Sequence, residues 1–193
     1  MAGDPSDDPQ VLDAIELRLP DPCLVVLVGA AGAGKSTFAA RHFAPDEVLS
    51  SDAFRARIAG DPADQRATRA AFDALDRSLR RRLEQRRLTV VDATSVREAD
   101  RRRLLRAAAM ARLPAVAIVF DLPGDIVLAR NAARERLVVP EAAVRRHLAQ
   151  LAESLRPPGL AAEGFACVQV LYDPEGVDAV RVVRERFVGF ARS

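Results

Sequence analysis

The 193-residue sequence predicts an α/β fold in which a five-stranded, mainly parallel sheet has helices on both faces. Short apolar runs alternate with longer helical patterns along the chain, as expected where helices connect parallel strands. The composition, 49% hydrophobic and 29% charged residues, is that of a globular protein. A chain of this length is enough for one well-packed domain and short for two, so we expect a single domain.

Six apolar runs predict the strands. Alternating apolar and polar residues at 15–19 predict an edge strand that precedes the main sheet. The residues before it, 1–14, are predicted as a flexible N-terminal tail, and the single domain covers 15–193. Five further runs predict the strands of the main sheet, at 23–28, 47–50, 88–92, 115–121 and 166–171.

Seven segments between and after these strands carry helix signals. The segment 96–112 combines an apolar stripe with many arginines, which we interpret as a solvated outer face. The predicted helices cover residues 36–42, 53–59, 65–87, 96–112, 126–136, 141–155 and 177–190.

A phosphate-binding loop follows the first main strand. Residues 29–37 complete the pattern G-x-x-x-x-G-K-[ST], with an apolar strand before them and a helix start after them. The glycines let successive N–H groups point at phosphate oxygens, Lys35 would reach the β- and γ-phosphates, and the Ser36 hydroxyl would ligate Mg²⁺. The predicted nucleotide-binding residues are Gly29, Ala30, Ala31, Gly32, Ala33, Gly34, Lys35, Ser36 and Thr37.

The alternative for this stretch is a Gly/Ala-rich turn in an alanine-rich chain. The strand and helix on either side weigh against that interpretation. Lys35 is also the only lysine in the chain, whereas 28 arginines supply the rest of the 29 Lys and Arg residues. A composition that keeps lysine only here indicates that this position needs a compact point charge.

Charge and cysteine content restrict the class of protein. A net charge of +2 argues against indiscriminate coating of nucleic acid and limits any such contact to a local patch. Cys23 and Cys167 lie in apolar runs and are expected as buried, reduced core residues. The acidic N-terminus is not a signal peptide and no apolar run is long enough to span a membrane, so we expect a cytoplasmic protein.

Asp52 follows the second main strand, at the edge of the sheet where ligands bind in open α/β folds. Its carboxylate can accept the proton of an attacking hydroxyl group, and Arg55, one helical turn later, can hold an acceptor phosphate. The alternative is locally as common: Asp52 caps a helix and Arg55 is a surface residue.

Two further stretches place charge near the same edge. Asp92 ends the β-branched run at 88–92, which is the Walker B pattern of a magnesium-associated or structural carboxylate. Arg130, Arg134 and Arg136 lie within one predicted helix and fit a lid that closes on a triphosphate. Helix solubility is the alternative explanation for these arginines.

Together these motifs resemble the kinase module of polynucleotide 5′-hydroxyl kinases, most closely the bacterial RNA-repair form. The resemblance covers about residues 24–171 and implies a P-loop kinase fold with a helical lid at about 124–156. The matching positions are 29–37, 50–52 with Arg55, 64–65, 71–73, 89–94, and 130–131 with Arg134.

This resemblance implies an activity and its residues. ATP would be the phosphate donor, Mg²⁺ the metal ion, and the 5′-hydroxyl end of RNA or DNA the acceptor. Asp52 would be the general base, Arg55 would contact the acceptor, and Arg130 would belong to the lid. The bacterial repair form carries phosphatase and ligase modules in one chain, so the resemblance also implies separate phosphatase and ligase partners here.

The sequence departs from the family pattern in the lid. A second lid arginine is expected where Leu137 stands, and the arginine is displaced by one residue to Arg136. If the lid helix continues past Arg136, that side chain points away and Arg134 must make the second contact. We expect a break before Pro140 instead, because the residue preceding a proline resists helix.

Two other functions share these motifs. A small-molecule kinase acting on a sugar, a nucleotide-sugar or a toxin-type substrate is the first, and a nucleotide-gated binding module is the second. A GTPase is disfavoured because its base-reading Asn-Lys-x-Asp motif needs a second lysine. The loop at Asp173 and Pro174 is a candidate adenine contact, while His42 and His147 are interpreted as structural.

Overall fold

The computed structural model describes residues 15–58, 65–135 and 137–188. The predicted tail at 1–14, Asp64 and Arg136 lie outside these ranges. The strands are β1 (Ile15–Asp21), β2 (Leu24–Gly29), β3 (Val48–Ser50), β4 (Thr89–Asp92), β5 (Ala115–Phe120), β6 (Cys167–Leu171) and β7 (Val180–Arg186). The helices are α1 (Lys35–His42), α2 (Ser51–Ile58), α3 (Gln65–Glu84), α4 (Glu98–Met110), α5 (Gly124–Ala132), α6 (Glu141–Leu155) and α7 (Pro174–Ala179).

Five parallel strands form the main sheet, in the order β3-β4-β2-β5-β6. Because the described strand pairs of this sheet are all parallel, its carboxyl ends lie at one edge. Asp92 of β4 pairs with Leu27 of β2 and with Ser50 of β3, so these three strands end close together. The predicted α/β fold with a five-stranded parallel sheet is confirmed, and it creates a ligand-binding edge.

Helices cover both faces of the main sheet. As a result, its strands β2 and β5 are buried along their whole length. Side chains alternate between the two faces of a strand. Val25 and Leu27 pack in the cluster that contains α1 and β1, whereas Val26 and Val28 pack in the cluster that contains α3 and α4. Each such buried side chain stabilises the fold by roughly 1.5–3 kcal/mol. The loop after β2 is therefore held between two packed layers.

The C-terminal segment differs from the helix predicted over 177–190. The chain leaves α7 at Ala179 and continues as β7, which pairs in parallel with β1 so that Leu17 lies opposite Val182. The predicted strand at 15–19 is confirmed, but it does not join the main sheet, since β1 and β7 form a separate two-stranded sheet. The β-branched run from Val180 favours a strand, and the pairing partner lies more than 160 residues away in the sequence.

Two local predictions are also wrong. Cys167 is exposed at the start of the edge strand β6, whereas Cys23 is buried as predicted. The arginines of α4 do not all face solvent, because Arg101 is completely buried. The predicted helix at 53–59 is confirmed over its described part, with an earlier start at Ser51, and residue 59 lies outside the described residues. None of the described helices is long and apolar enough to cross a membrane.

Candidate active site

The phosphate-binding loop connects β2 to α1 at the carboxyl edge of the sheet. Gly32 and Gly34 have φ angles of 92° and 91°, in the left-handed region that favours glycine. A Cβ added to Gly32 would overlap the carbonyl oxygen of Val127 on α5. Only glycine therefore fits at Gly32, where the backbones of the loop and of α5 meet.

Lys35 occupies the first turn of α1 with 7% of its surface exposed. Its ammonium donates hydrogen bonds to the carbonyl oxygens of Gly29 at 2.9 Å and of Ala30 at 2.7 Å. Burial lowers the pKa of Lys35 from 10.5 to about 8, although the nearby carboxylates of Asp92 and Asp52 oppose this shift. The ammonium is thus held inside the loop, where a bound phosphate would meet it.

Ser36 and Asp92 bring together the oxygen groups that Mg²⁺ prefers. The Ser36 hydroxyl donates a hydrogen bond of 2.7 Å to Oδ2 of Asp92. Burial raises the pKa of Asp92, against the lowering effects of the Ser36 hydrogen bond and of Lys35. A hydroxyl beside a carboxylate fits a magnesium ion that keeps most of its water. No group of three or more His, Cys, Asp or Glu side chains with metal-binding geometry occurs among the described residues.

The segment after β4 is tied to the phosphate loop and to a buried arginine. The Gly29 N–H donates to the carbonyl oxygen of Thr94 at 2.9 Å. Ser95 has a φ of 46°, a left-handed conformation that is strained for serine. Arg101 holds this conformation by donating to the carbonyl oxygens of Ser95 at 2.9 Å and Val96 at 2.7 Å.

Arg101 also reaches two segments that come much later in the chain. Its Nε and Nη2 donate to the carboxylate of Glu163 at 2.8 and 2.5 Å, and Nη2 donates to the Ser154 hydroxyl on α6 at 3.1 Å. The side chain is fully buried, so these bonds replace its hydration. Arg101 therefore joins α4, α6 and the segment that follows Asp92.

Asp52 and Arg55 lie together at the start of α2, directly after β3. Nη2 of Arg55 donates a hydrogen bond to Oδ1 of Asp52, and both side chains are 47% exposed. At the N-terminus of α2, the Ser50 hydroxyl accepts the Ala53 N–H at 3.4 Å. This contact assigns the helix-capping role to Ser50 and not to Asp52. The Asp52 carboxylate lies close enough to Lys35 and Asp92 to influence their pKa values.

The predicted lid segment approaches the loop through α5. A Cβ on Gly34 would lie 3.7 Å from Nη1 of Arg130, and the charge of Arg134 contributes to the lowered pKa of Lys35. The predicted break is confirmed, because α5 ends at Ala132 and α6 begins at Glu141. The predicted lid arginine Arg136 lies outside the described residues.

Asn131 fastens the connection between α5 and α6. Its Nδ2 donates to the Val139 carbonyl oxygen at 2.7 Å, and its Oδ1 accepts the Val139 N–H at 3.2 Å. The side chain is 4% exposed, and its Cβ would lie 3.0 Å from a Cβ on Gly32. Asn131 thereby joins the two ends of the segment that carries Arg134, and it packs against the phosphate loop at Gly32.

Sequence reasoning did not assign the roles of Arg101 and Asn131. The arginine-rich pattern of 96–112 predicts a solvated Arg101, although Arg101 falls on the same helix face as Leu104, one turn away. Asn131 was matched by resemblance without a role.

Asp173, a predicted adenine contact, caps α7 by accepting the Gly176 N–H at 2.6 Å. Burial lowers the pKa of His147, with smaller effects of Lys35 and Arg146.

A cavity of about 690 Å³ opens between the start of α4 and the end of α6. Its lining includes Arg97, Arg101 and Glu163, but among the described residues none of the phosphate loop. The cavity is therefore distinct from the site built around Lys35. Its carboxylates are already paired with arginines, as in the contact of Arg101 with Glu163.

Comparison with known proteins identifies the family. Residues 24–158 match the model of a family described as an AAA domain. This match covers more than half of the chain, and the chain belongs to that family. No curated protein shows significant sequence similarity to the chain.

Several solved structures are similar in fold to this chain. A chain of the Pnkp1/Rnl/Hen1 RNA repair complex is similar at 27% identity and a TM-score of 0.60, over 70% of this chain and 45% of that one. A putative kinase from Chloroflexus aurantiacus is similar at 18% identity and 0.54, over 79% and 88% of the two chains. A sugar kinase from Janibacter sp. is similar at 22% identity and 0.54, over 78% and 85%.

These similarities define the protein at the level of family and fold. It has an AAA domain whose α/β fold, with a phosphate-binding loop, is shared with proteins described as kinases. The chain spans less than half the length of the similar chain from the RNA repair complex. The named relatives differ in substrate class, so the acceptor has to be inferred from this chain's own residues.

Proposed function

We propose that the protein is an ATP-dependent polynucleotide 5′-hydroxyl kinase that transfers the γ-phosphate of ATP to the 5′-hydroxyl end of RNA or DNA. Three features of the described residues support this proposal. The phosphate loop and Lys35 suit the donor, Asp52 and Arg55 suit an acceptor hydroxyl, and the surface charge around that acceptor position suits a polyanion.

The donor end of the reaction depends on groups that are already in place. The loop amides and the Lys35 ammonium would bind the β- and γ-phosphates, and Ser36 with Asp92 would hold Mg²⁺ directly or through its water. A Mg²⁺ ion held by these residues would neutralise part of the negative charge of the triphosphate. Arg130 and Arg134 would stabilise negative charge on the transferring group. Arg136 is proposed to share this role.

At the acceptor end, Asp52 is the proposed general base. Its carboxylate would take the proton of the 5′-hydroxyl while that oxygen bonds to the γ-phosphorus and the bond from the γ-phosphorus to the bridging oxygen of ADP breaks. Arg55 would leave its contact with Asp52 for an acceptor phosphate, whose two non-bridging oxygens can accept a two-point contact from the guanidinium. The half-exposed position of both side chains leaves room for this exchange.

The observation that favours a polynucleotide over a small metabolite is the distribution of charge. Residues 51–112, which contain α2, α3 and α4, include 16 basic and 9 acidic residues, a net charge of +7. The rest of the chain has 13 basic and 18 acidic residues, a net charge of −5. The positive part is the part that carries Asp52. Such a field attracts an extended phosphodiester chain, whereas a sugar hydroxyl does not need it.

Separate phosphatase and ligase partners belong to the same proposal. The similar solved chain is part of a complex named as an RNA repair complex, which supports a repair role for the present chain. A 5′-kinase prepares an end that a ligase can join, so a ligase would consume its product.

A direct assay tests the acceptor. The protein is mixed with γ-labelled ATP, Mg²⁺ and either a 5′-hydroxyl oligonucleotide bearing a 3′-phosphate or a panel of sugars and nucleotide-sugars. We expect label only on the oligonucleotide, and the same oligonucleotide with a 5′-phosphate should accept none. Label on a sugar with none on the oligonucleotide would instead identify a small-molecule kinase. Nucleotide binding without transfer to any acceptor would identify a binding module.

A further inference from the structure

The solvent faces of α3 and α4 carry exposed arginines that form no ion pair at contact distance with another described residue. Arg69, Arg77 and Arg80 of α3 and Arg106 of α4 are exposed. Within the described part of the chain, none of these four makes an ion pair or a hydrogen bond. We call this set the basic stripe. Its guanidinium groups have all their donors available for an anion from outside the protein.

Three arginines near the two-stranded sheet, Arg18, Arg41 and Arg184, behave differently. Arg18 contacts Glu16 and Glu185, and Arg41 contacts Asp178 at 2.6 Å. Arg184 makes a two-point contact with Glu47, with both distances at 2.8 Å. These arginines are neutralised within the fold. The absence of ion pairs in the basic stripe is therefore not a general property of the surface arginines that the structure describes.

The basic stripe is continuous across the two helices. Arg69 and Arg80 are eleven residues apart, which is close to three helical turns, so they lie on one side of α3 about 16 Å apart. An ion pair of 3.3 Å between Asp76 and Arg103 ties α3 to α4. Arg80 and Arg106 follow this ion pair by four and three residues on their helices. The stripe thus extends from α3 onto α4.

One end of the basic stripe lies toward the proposed acceptor position. α3 follows α2 in the chain and packs against it, and α2 starts with Asp52. α3 then leads back to the opposite edge of the sheet, where β4 begins. Arg69 is therefore the member of the stripe nearest the acceptor end, and Arg80 lies farther along.

We propose that the basic stripe binds the phosphodiester backbone of the acceptor strand beyond its 5′-terminal nucleotide. This inference rests on the proposed function and extends it to a longer, single-stranded substrate. Two carboxylates lie near these arginines, the exposed Asp73 and the half-buried Asp76. Burial raises the pKa of Asp76, and the charges of Arg103 and Arg80 oppose this shift. Asp76 already pairs with Arg103, so the two carboxylates cannot neutralise all four arginines. The ring of Phe72 on α3 is covered by Arg103, whose guanidinium lies 5.8 Å from the ring centre, so base stacking on this ring is not part of the proposed contact. The contact is electrostatic and independent of sequence.

The test compares acceptors of two lengths in two charge-matched variants. One variant carries Arg77→Gln, Arg80→Gln and Arg106→Gln, and its control carries Arg18→Gln, Arg181→Gln and Arg186→Gln on the two-stranded sheet. The acceptors are 5′-hydroxyl single strands of about 3 and about 12 nucleotides. We expect the stripe variant to raise KM for the long acceptor at least about tenfold and to lower its salt dependence by a log–log slope of about 2. The short acceptor and the control variant should keep wild-type values.

The possible outcomes separate this inference from the proposed function. If the wild-type protein phosphorylates both strands and the stripe variant treats them as the wild type does, the inference is wrong and the kinase proposal stands. If no strand is phosphorylated, the kinase proposal fails. Direct binding of a fluorescent 12-nucleotide strand then decides the stripe, which is wrong if the variant binds as tightly as the control. Loss of binding to phosphatidylserine vesicles with unchanged strand binding would also overturn it, in favour of a membrane contact.

Discussion

The donor side and the acceptor side of the candidate site are built in different ways. On the donor side, Lys35 is almost fully buried and its ammonium is held by two loop carbonyls, while Ser36 is bonded to Asp92. On the acceptor side, Asp52 and Arg55 are each half exposed and contact mainly each other. The donor side is organised before ligand arrives, whereas the acceptor side depends on groups that the substrate supplies. Changes on the two sides should therefore affect different steps.

The largest expected effect separates these steps. Asp52→Asn removes the proposed base without changing side-chain size, so we expect a loss of kcat of about 10²-fold to 10⁴-fold. ATP affinity should stay within about twofold, because Asp52 acts on the acceptor. Steady-state transfer to a 5′-hydroxyl strand and equilibrium binding of a fluorescent ATP analogue measure the two quantities. The control Lys35→Met should lose ATP affinity as well.

Retention of more than about a tenth of the wild-type kcat in Asp52→Asn would exclude the general-base role. A loss of ATP affinity equal to that of Lys35→Met would mean that the two sides are not independent. The comparison between a preorganised donor side and an open acceptor side would then fail.

Arg101 should have the next largest effect, on stability. Arg101→Met removes a donor from the carbonyl oxygens of Ser95 and Val96, of which Val96 still accepts from the Ser154 hydroxyl. It also leaves the largely buried carboxylate of Glu163 without its arginine. Breaking a buried pair in this way costs about 3–5 kcal/mol in free energy of unfolding. Urea unfolding checks this value, with Arg102→Met as the control. Arg102 is exposed and contacts Glu98 within one helix, so its loss should cost under about 1 kcal/mol. Equal losses in the two variants would contradict the buried role.

Asn131 should show a smaller effect that concerns the lid. Asn131→Ala leaves both backbone groups of Val139 without a partner, which costs about 1–3 kcal/mol. If Asn131 positions Arg134, Asn131→Ala should also lose part of the preference for ATP over ADP. In a protein that already carries Arg134→Ala, adding Asn131→Ala should then cause no further loss of that preference. Leu151→Ala, a buried truncation on α6, should lose stability and keep the preference. If Asn131→Ala and Arg134→Ala instead change this preference additively, Asn131 has only a structural role.

The donor side could be predicted from the sequence because its geometry is local. The loop, its strand and its helix are adjacent in the chain, and a special backbone at Gly32 and Gly34 requires glycine there. The end of the lid helix was placed too late, at Arg136, although the break before Pro140 is real. Local signals of this kind fix the existence of an element better than its limits.

Features that depend on distant segments could not be predicted. β7 is a strand because it pairs with β1, and its run of valines also allowed a helix that buries Val177 and Val180. The burial of Arg101 depends on Glu163, sixty-two residues later. In both cases the deciding contact joins residues whose proximity is created by the fold itself.

The smallest expected effect is a pH dependence of ATP affinity that belongs to the donor side alone. Burial lowers the pKa of Lys35 from 10.5 to about 8 in the free protein, and a bound triphosphate would raise it again by favouring the ammonium. Binding therefore requires the protonated form. Affinity should be constant below pH 8 and fall by up to about tenfold, or 1.4 kcal/mol, per pH unit above it.

The stability of the free protein should change in the opposite direction over the same range. Between pH 8 and 10.5 the unfolded chain keeps the proton on Lys35 longer than the folded protein does, so this group makes the free energy of unfolding increase with pH. Titration of ATP binding and urea unfolding from pH 7 to 10 measure both trends. Lys35→Arg, whose guanidinium stays charged in this range, should give a flat dependence in each. A wild-type affinity that does not change up to pH 9.5 would mean that the ammonium is not desolvated as its carbonyl contacts suggest, and that the donor side is as open to water as the acceptor side.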